Sequence, residues 1–400
     1  MSEWKEFKLG ENISYKKGFA FKSSLYQETG RLIIRVSDTT MDSVNTESCL
    51  RINEDIAKQY LDYELKKDDI VIMTVGSWPE NPSSVVGKVI RIPNYAEGAL
   101  LNQNAVRIKS KGLINQHFLY YNLKNKEFSG YIVNNAQGSA NQASITLDDI
   151  FSYSFKCPPL PEQTAIASIL SSLDDKIDLL HRQNATLEKM AETLFRQWFV
   201  EEEWNGTLSE YIKVQGGFAF KSKDFKEKGF AGVIKIRNIT MGMIDISNTD
   251  YVDQEVVNNI DKRFKITSGD FLIAMTGAEI GKIGIVEKTE KEIWVNQRVG
   301  KLEAKVPYGD LIGYLALKSR EGQDHIINAC AGSAQENISS SGIEEMSFIP
   351  YKAEITNSLG KEIEPLFKKI IFNQSQIRTL TALRDTLLPK LMSGEVRVEY

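Results

Sequence analysis

The second half of the chain repeats the first half in diverged form, and this internal duplication constrains the fold more than any other feature of the sequence. Gly18–Lys22 (GFAFK) returns as Gly217–Lys221, and Asn102–Gln103 returns as Asn296–Gln297. The matches keep their order, and their spacing drifts only from 199 to 194 residues. The sequence therefore predicts two related domains in a pseudo-twofold arrangement. Such an arrangement suits a pseudo-twofold target, of which duplex DNA is the commonest.

Length and composition are those of an ordinary globular chain. Its 400 residues leave room for two or more domains with their own cores. It has no run of 18 apolar residues and begins with the polar segment Met1–Lys5, so we expect neither a membrane span nor a signal peptide. The three cysteines and three histidines are scattered, which indicates reduced thiols in a cytoplasmic protein and argues against a disulfide framework or a metal site.

A long helix is predicted after each copy of the repeat. In both helices, apolar residues recur at alternating intervals of four and three, which is the spacing of a heptad seam. Pro161 suits the first turn of the first helix, whereas Pro365 lies inside the second pattern and predicts a kink or a late start. The first seam contains Ile166, Leu170, Leu173, Ile177, Leu180, Asn184, Leu187 and Leu194, and the second contains Ile370, Asn373, Ile377, Leu380 and Leu387.

The two helices are expected to pair with each other. Each has one asparagine in its seam, and their charges are opposite, because residues 159–202 hold 8 acidic and 4 basic side chains while 351–400 hold 6 acidic and 8 basic ones. The alternative is that each helix packs only on its own domain. The net charge is −4 and no segment is a basic tail, so binding to DNA would need a local basic face or a partner that contacts the phosphates.

The segments between the helices have the pattern of mixed α and β domains. Strands are expected in equivalent pairs, and so is one helical segment in each repeat. The strand pairs are Asp69–Thr74 with Asp270–Met275, Leu32–Val36 with Val233–Arg237, and Val85–Ile92 with Lys282–Val286, and the helical segments are 117–134 and 311–328. Each repeat is therefore predicted to form an α/β or α+β domain.

We find no motif that would make the chain an enzyme. Gly277–Lys282 resembles a phosphate-binding loop, but three residues separate its glycines instead of four, and Ile283 stands where Ser or Thr should bind magnesium. A hairpin turn is the better interpretation. No glycine-rich loop suits S-adenosylmethionine, and Asp148–Asp149 and Asp174–Asp175 lack partners for acid–base or metal chemistry. The sequence indicates a binding and scaffolding protein with no catalytic residue, metal or cofactor of its own.

Polar loops at matching places in the two repeats are the candidate recognition elements. Asn, Gln and Arg side chains can read adenine and guanine edges, and Lys and Arg can hold phosphates. The base-reading candidates are Asn102, Gln103, Asn104, Arg107, Ser139, Asn141, Gln142, Asn296, Gln297, Arg298, Ser333 and Gln335, and the phosphate-contact candidates are Lys22, Arg35, Lys221, Lys235 and Arg237. The alternative for each is a turn-stabilising amide or a solvated cation, and the shared Asn–Gln pairs can be structural.

Three segments resemble the specificity subunits of type I restriction–modification systems. They are Pro159–Gln163 (PLPEQ), its continuation from Leu173–Ile177 to Leu194–Phe199, and the closing segment Leu388–Val396. The resemblance covers essentially the whole chain, although the second helix has Ile349–Lys352 in place of the PLPEQ lead-in. It implies an α/β (α+β) fold, with target recognition domains at 1–158 and 203–350. These would be joined by the family's two conserved helices, 159–202 and 351–400, paired as an antiparallel coiled coil.

The resemblance also implies a mechanism. Each recognition domain would read one half of a bipartite target in double-stranded DNA, and the paired helices would set the unread spacer. Two methylation subunits would dock around the helices and supply S-adenosylmethionine and adenine-N6 chemistry, and motor-nuclease subunits would complete the restriction complex. The chain would act in the prokaryotic cytoplasm without contacting a membrane.

Two other classes of function remain open at this point. A self-contained modification enzyme is disfavoured because cofactor and catalytic motifs are missing from the sequence. A coiled-coil adaptor that binds proteins without reading bases remains possible, because seams of this kind serve protein–protein pairing equally well.

Overall fold

The computed structural model describes residues 4–40, 43–79, 85–139, 142–199, 202–240, 242–330 and 337–399. The chain divides into two compact units, one formed by Met1–Asp175 with Thr381–Tyr400 and the other by Lys176–Leu380. Each unit therefore contains one repeat together with a segment of both long helices. The four-part division at residues 158, 202 and 350 follows the sequence pattern and stays a prediction.

The first unit is built around a four-stranded antiparallel sheet, whose strands in spatial order are Ile13–Lys17, Ala105–Ser110, Ile70–Met73 and Val89–Arg91. A second four-stranded sheet has the order Tyr26–Gln27, Leu50–Ile52, Arg31–Ile34 and Leu100–Leu101. A three-stranded sheet contains Gln137–Ser139, Gln142–Ser144 and Val75–Gly76, and Lys5–Lys8 pairs with Ser154–Cys157. The short α-helices are Leu9–Asn12, Glu54–Ala57, Gln116–Lys124, Lys126–Asn135 and Leu147–Phe151.

The second unit repeats this plan. Its larger sheet has the order Ile212–Gly216, Val299–Ala304, Phe271–Ala274, Ile283–Val286, Met243–Ile244 and Ile239–Thr240. Its second sheet has the order Asp250–Val252, Ala231–Ile234, Ile293–Val295 and Lys265–Ile266, and Gly206–Thr207 pairs with Ser347–Phe348. The short α-helices are Gln254–Asn258, Gly309–Lys318, Arg320–Cys330 and Ser340–Glu344.

The central strand of each unit is buried on both faces, because its side chains point alternately into two apolar cores on opposite sides of the sheet. Ile70 and Ile72 belong to the core that also contains the long helices, whereas Val71 and Met73 belong to a second core on the other face of the sheet. The strand Phe271–Ala274 alternates between two cores in the same way. The expected buried strands are thereby confirmed, and so is the hairpin turn after the second one, because Phe271–Ala274 and Ile283–Val286 are antiparallel neighbours.

The two predicted helical segments each consist of two helices. In the first unit, the break lies at Asn125, whose backbone is extended and whose side chain accepts a hydrogen bond from the Lys126 amide. In the second unit, it lies at Ser319, whose backbone is also extended. Because asparagine and serine side chains bond readily to nearby backbone groups, they favour helix ends over helix interiors.

The long helices span Leu160–Phe199 and Ala353–Ser393. The first has Pro161 in its opening turn, as expected, and the second is followed by Gly394, whose φ of 74° is typical of a glycine that ends a helix. The prediction of a late start at Pro365 is wrong, because the second helix begins at Ala353. Its opening turns are held by packing, since Leu359 and Ile363 are fully buried ahead of the proline. Within the described ranges, no helix is long and apolar enough to cross a membrane.

Candidate nucleic-acid interface

The Asn–Gln turn is built the same way in both repeats. The amide of Asn102 donates to the Ile34 carbonyl at 3.0 Å, and the amide of Asn296 donates to the Ile234 carbonyl at 2.9 Å. A glycine from the repeated GFAFK motif packs against each turn. A Cβ atom on Gly18 would lie 1.9 Å from the carbonyl oxygen of Asn102, and one on Gly217 would lie 2.2 Å from that of Asn296. The two repeated motifs are therefore parts of one local structure.

The side chains at the tip of this turn differ between the repeats. Gln103 and Gln297 are both exposed. Asn104 and Arg298 follow them, and their carbonyls accept equivalent bonds from the backbone amides of Thr74 and Met275. Asn104 is half-buried, whereas Arg298 is exposed and forms no ion pair with any carboxylate in the described part of the chain. The shared backbone thus presents an amide in one repeat and a guanidinium in the other.

Several of the candidate cations already have structural partners. Arg35 binds the fully buried carboxylate of Asp38 through Nε at 2.9 Å and Nη2 at 2.7 Å, and this hydrogen bonding raises the pKa of Arg35. Arg107 donates to the Glu64 carbonyl and lies 3.8 Å from Asp69. These guanidinium groups stabilise their own domain, and their role as base or phosphate contacts stays a prediction.

In the second repeat, the candidate cations pair with a carboxylate at a position that does not correspond to Asp38. Lys235 and Arg237 both bind Asp250, with 2.8 Å between Arg237 Nη2 and Asp250 Oδ1. Partial burial would raise the pKa of Asp250, but the hydrogen bonds from the two cations outweigh this and lower it. Lys235 also lies over the Phe225 ring at 3.4 Å. Arg237 remains exposed despite its ion pair, so it can still reach a ligand.

The remaining candidates lie in exposed loops. Lys22 and Lys221 each precede a one-turn 3-10 helix and are exposed. Ser139 and Gln142 are exposed and lie opposite each other on two antiparallel strands, and the indole of Trp78 donates to the Ser139 carbonyl at 2.8 Å. Their roles stay predictions. The candidates Asn141, Ser333 and Gln335 lie outside the described residues.

In the first unit, the long helices pack against each other. Ile166 and Leu170 share a core with Leu391, and further along Asp174 binds Arg384 at 3.0 Å. As the first helix advances, its partner residue number falls, so the segments are antiparallel. Across both units, the buried seam residues are Ile166, Leu170, Leu180, Ile370, Asn373 and Ile377, and the half-buried ones are Leu173, Ile177, Asn184, Leu187, Leu194, Leu380 and Leu387.

In the second unit, the two seam asparagines meet. Asn373 Nδ2 donates to Asn184 Oδ1 at 2.9 Å, and Asn373 is fully buried. Phe199 and Leu359 share a core there, which again gives an antiparallel order. The expected pairing is therefore confirmed within each unit. A buried polar pair in an apolar seam favours the register in which both amides are satisfied.

The sequence motifs did not reveal how the start of the first helix is held. Glu162 is fully buried and both of its oxygens bind Arg397, with 2.7 Å between Nη2 and Oε2. Gln163 accepts a bond from the Asn115 amide at 2.7 Å and donates to the Pro158 carbonyl at 2.9 Å. The opposite charges of Glu162 in the PLPEQ motif and of Arg397, directly after the closing segment, were the signal that could have suggested this pairing.

A polar cluster beside the first helix was also missed. His117 Nδ1 lies 3.0 Å from both Arg91 Nη1 and Ser171 Oγ. Burial, and then the adjacent positive charge of Arg91, lower the pKa of His117. Arg91 in turn binds Asp175 at 3.3 Å. The carboxylate of Asp175 is largely exposed and forms the other half of this ion pair.

Metal binding and thiol chemistry have little support among the side chains of the described ranges. They contain no group of three His, Cys, Asp or Glu side chains placed to hold a metal ion. All three cysteines are buried and none of them forms a disulfide. Burial raises the pKa of Cys49 to about 11 and that of Cys157 to about 12, so neither is a thiolate at neutral pH.

Comparison with known sequences gives one consistent family. The family model described as the type I restriction modification DNA specificity domain matches residues 1–189 and again residues 201–380. The chain is 26% identical over 322 residues to the type I restriction enzyme MjaIX specificity subunit of Methanocaldococcus jannaschii, covering 74% of this chain and 73% of the relative. It is 22% identical over 477 residues to the HindI specificity subunit of Haemophilus influenzae, covering 99% and 100%.

A solved structure shows the same fold. It is the crystal structure of a type I restriction–modification S subunit from M. genitalium, which is similar with a TM-score of 0.59 and 20% sequence identity. The similarity covers 97% of this chain and 96% of the other. Both repeats and both long helices therefore fall within the shared fold.

Proposed function

Because this chain belongs to the family of type I restriction–modification specificity subunits and acts in DNA target recognition, we propose that each of its repeats reads one half of a bipartite DNA sequence. The alternative of a protein-only adaptor is not favoured, since the matched family model is a DNA specificity domain and covers both repeats. Specificity subunits are non-catalytic components of type I systems, and this accords with the lack of enzyme motifs in the sequence.

The observation that carries the proposal is the Asn–Gln turn. It recurs in the same backbone setting in both repeats, and the residue after it is Asn104 in one and Arg298 in the other. Asparagine makes bidentate contacts to adenine, and arginine makes them to guanine. A shared frame with different tip residues is what two readers with different half-sites require.

The catalytic partners are part of the same proposal. Two methylation subunits dock around the long helices and bind S-adenosylmethionine for adenine-N6 transfer, and motor-nuclease subunits join through the assembled complex in the cytoplasm. The near-neutral first repeat and the acidic total charge support this division of work, because the partners would supply many of the phosphate contacts that the chain lacks. In this proposal the paired helices set the length of the unread spacer between the two half-sites.

Expression of the chain with its methylation subunits, in a host without adenine methylation, tests the proposal. Sequencing of the methylated adenines should give one motif with two defined halves and an unread spacer of constant length. Gly18→Ala should lower methylation, because its Cβ atom would collide with the Asn102 carbonyl. Gly130→Ala is the matched control, since a Cβ atom there meets no atom within 4 Å. A continuous motif, or no motif with the wild-type chain, would contradict the proposal.

A further inference from the structure

Each unit contains a buried tyrosine that ties its recognition domain to the first long helix. In the first unit, Tyr121 donates from its hydroxyl to Asp174 Oδ2 at 2.7 Å. In the second unit, Tyr314 donates to Glu188 Oε1 at 2.6 Å. The exposed fractions of the two tyrosines are 1% and 0%. Both tyrosines belong to a helix that packs on the central sheet of its domain, and both acceptors belong to the helix Leu160–Phe199.

Both acceptor carboxylates also form an ion pair with a basic side chain. Arg384 binds Asp174 at 3.0 Å in the first unit. Lys318 bridges Glu188 and Glu192 in the second unit, with 3.0 Å to Glu192. A hydrogen bond to an ionised acceptor is shorter and about twice as strong as one between neutral groups. Burial, and then the nearby carboxylate, raise the pKa of both tyrosines, so they stay donors over the physiological range.

The two contacts are not simple copies of each other. Leu123–Lys124 aligns with Leu317–Lys318, and this register places Tyr314 opposite Tyr120 rather than Tyr121. If the duplication alone determined this contact, the first unit would use the hydroxyl of Tyr120, which aligns with Tyr314. Both units nevertheless reach the same contact, a tyrosine hydroxyl on a helix carboxylate, from neighbouring positions. The two contacts therefore do not come from a single pair of positions that the duplication copied.

We propose that Tyr121 and Tyr314 are positioning residues that fix the angle of each recognition domain on its helix segment and thereby restrict the spacer lengths that the protein accepts. This rests on the function proposed above. Apolar packing between a domain and a helix is non-directional, so it permits small rotations at little cost. A buried charged hydrogen bond has a strict distance and angle, and it resists such rotations. Loss of this hydrogen bond would leave base reading intact but would allow the angle between the recognition domain and its helix segment to vary.

The test uses the complex with methylation subunits and a set of duplexes that carry both half-sites with the spacer at its normal length, one base pair shorter and one base pair longer. Tyr121→Phe and Tyr314→Phe keep the ring and remove only the donor. We expect the double variant to lose about tenfold in the preference for the normal spacer, while discrimination against a mismatched half-site base changes less than twofold. Tyr131→Phe is the matched control, because its hydroxyl donates at 2.8 Å to the Asp149 carbonyl within the same recognition domain.

A second pair of variants separates positioning from stability. Glu188→Gln keeps an oxygen that can accept from Tyr314 but loses the charge, so it should retain part of the spacer preference, whereas Glu188→Leu should lose at least as much as Tyr314→Phe. A fall in melting temperature with unchanged spacer preference in all variants would overturn the proposal. If the wild-type complex itself showed no spacer preference, the bipartite function would fail, and that result is distinguishable from failure of the tyrosine contacts alone.

Discussion

Removing the partner of the buried Glu162 carboxylate should destabilise the first unit strongly. Glu162 is fully buried and both of its oxygens bind Arg397, whose guanidinium also lies 5.7 Å from the Trp4 ring. Arg397→Ala leaves this carboxylate, which is fully buried in the wild-type protein, without a counter-charge. The variant must either keep a buried charge or protonate it, and both alternatives lower the free energy of unfolding.

The magnitude follows from the burial of the pair. Breaking a buried ion pair by removing one partner costs roughly 3–5 kcal/mol. The Arg397 side chain is 30% exposed, so water can enter after its removal, and we expect the lower end of that range. For a unit of this size, 1 kcal/mol corresponds to a shift of about 2–4 °C in the melting temperature, so the variant should melt roughly 6–12 °C lower. Replacing both partners by leucine should restore much of this loss, because no buried charge remains.

Thermal unfolding followed by tryptophan fluorescence measures the effect. Arg320→Ala provides the control, because Arg320 forms an ion pair with Asp324 in which both side chains are largely exposed, and such pairs contribute little. If Arg397→Ala lowered the melting temperature no more than Arg320→Ala does, the carboxylate would not depend on Arg397 and the reasoning would be refuted.

Three further predictions concern the seam, the reading turn and pH. Leu180→Asp and Leu380→Asp each place a charge in the apolar seam, so each should lower the free energy of unfolding by several kcal/mol. Unchanged methylation and unchanged hydrodynamic size in both variants would argue against helix pairing. Arg298→Ala should relax one base of the second half-site, whereas Arg35→Ala should weaken binding to all sequences and lower the salt slope by about one unit; titrations across single-base variants and salt concentrations separate the two. Thermal unfolding measures the stability that Arg35→Ala also loses, because it leaves the buried Asp38 carboxylate without its partner. Because the pKa of His117 is lowered in the folded state, the unfolded chain binds more protons below its ordinary pKa of 6.5. Unfolding titrations should therefore show stability falling as the pH drops below about 6.5, and His117→Gln should flatten that dependence.

Local patterns predicted the elements of the fold well. The strand Ile70–Met73 and its counterpart Phe271–Ala274 were visible because a short apolar run bounded by turn residues is typical of a buried strand. The helix seams were visible because their period is set by helix geometry alone. The start of the second long helix was not, because Pro365 weakens the local signal while the packing of Leu359 and Ile363 comes from distant parts of the chain.

The candidate site was predictable only in part. The repeated Asn–Gln pairs marked two turns that have the same local structure, but nothing in the sequence reveals that Gly18 packs on Asn102, since 84 residues separate them. Arg35 was proposed for phosphate because its charge is visible in the sequence, whereas the buried position of Asp38 is not. The contacts of Tyr121 and Tyr314 join residues far apart in the chain, and a sequence pattern carries no record of such pairs.

Exchange of one recognition domain tests the central claim most directly. Residues 1–158 are replaced by the first recognition domain of a relative with a different target, and the adenines methylated by the hybrid complex are sequenced. The account predicts that one half of the motif changes to that of the relative, while the other half and the spacer length stay as they were. A change in both halves, or in the spacer alone, would contradict the conclusion that the two repeats read DNA independently on a common pair of helices.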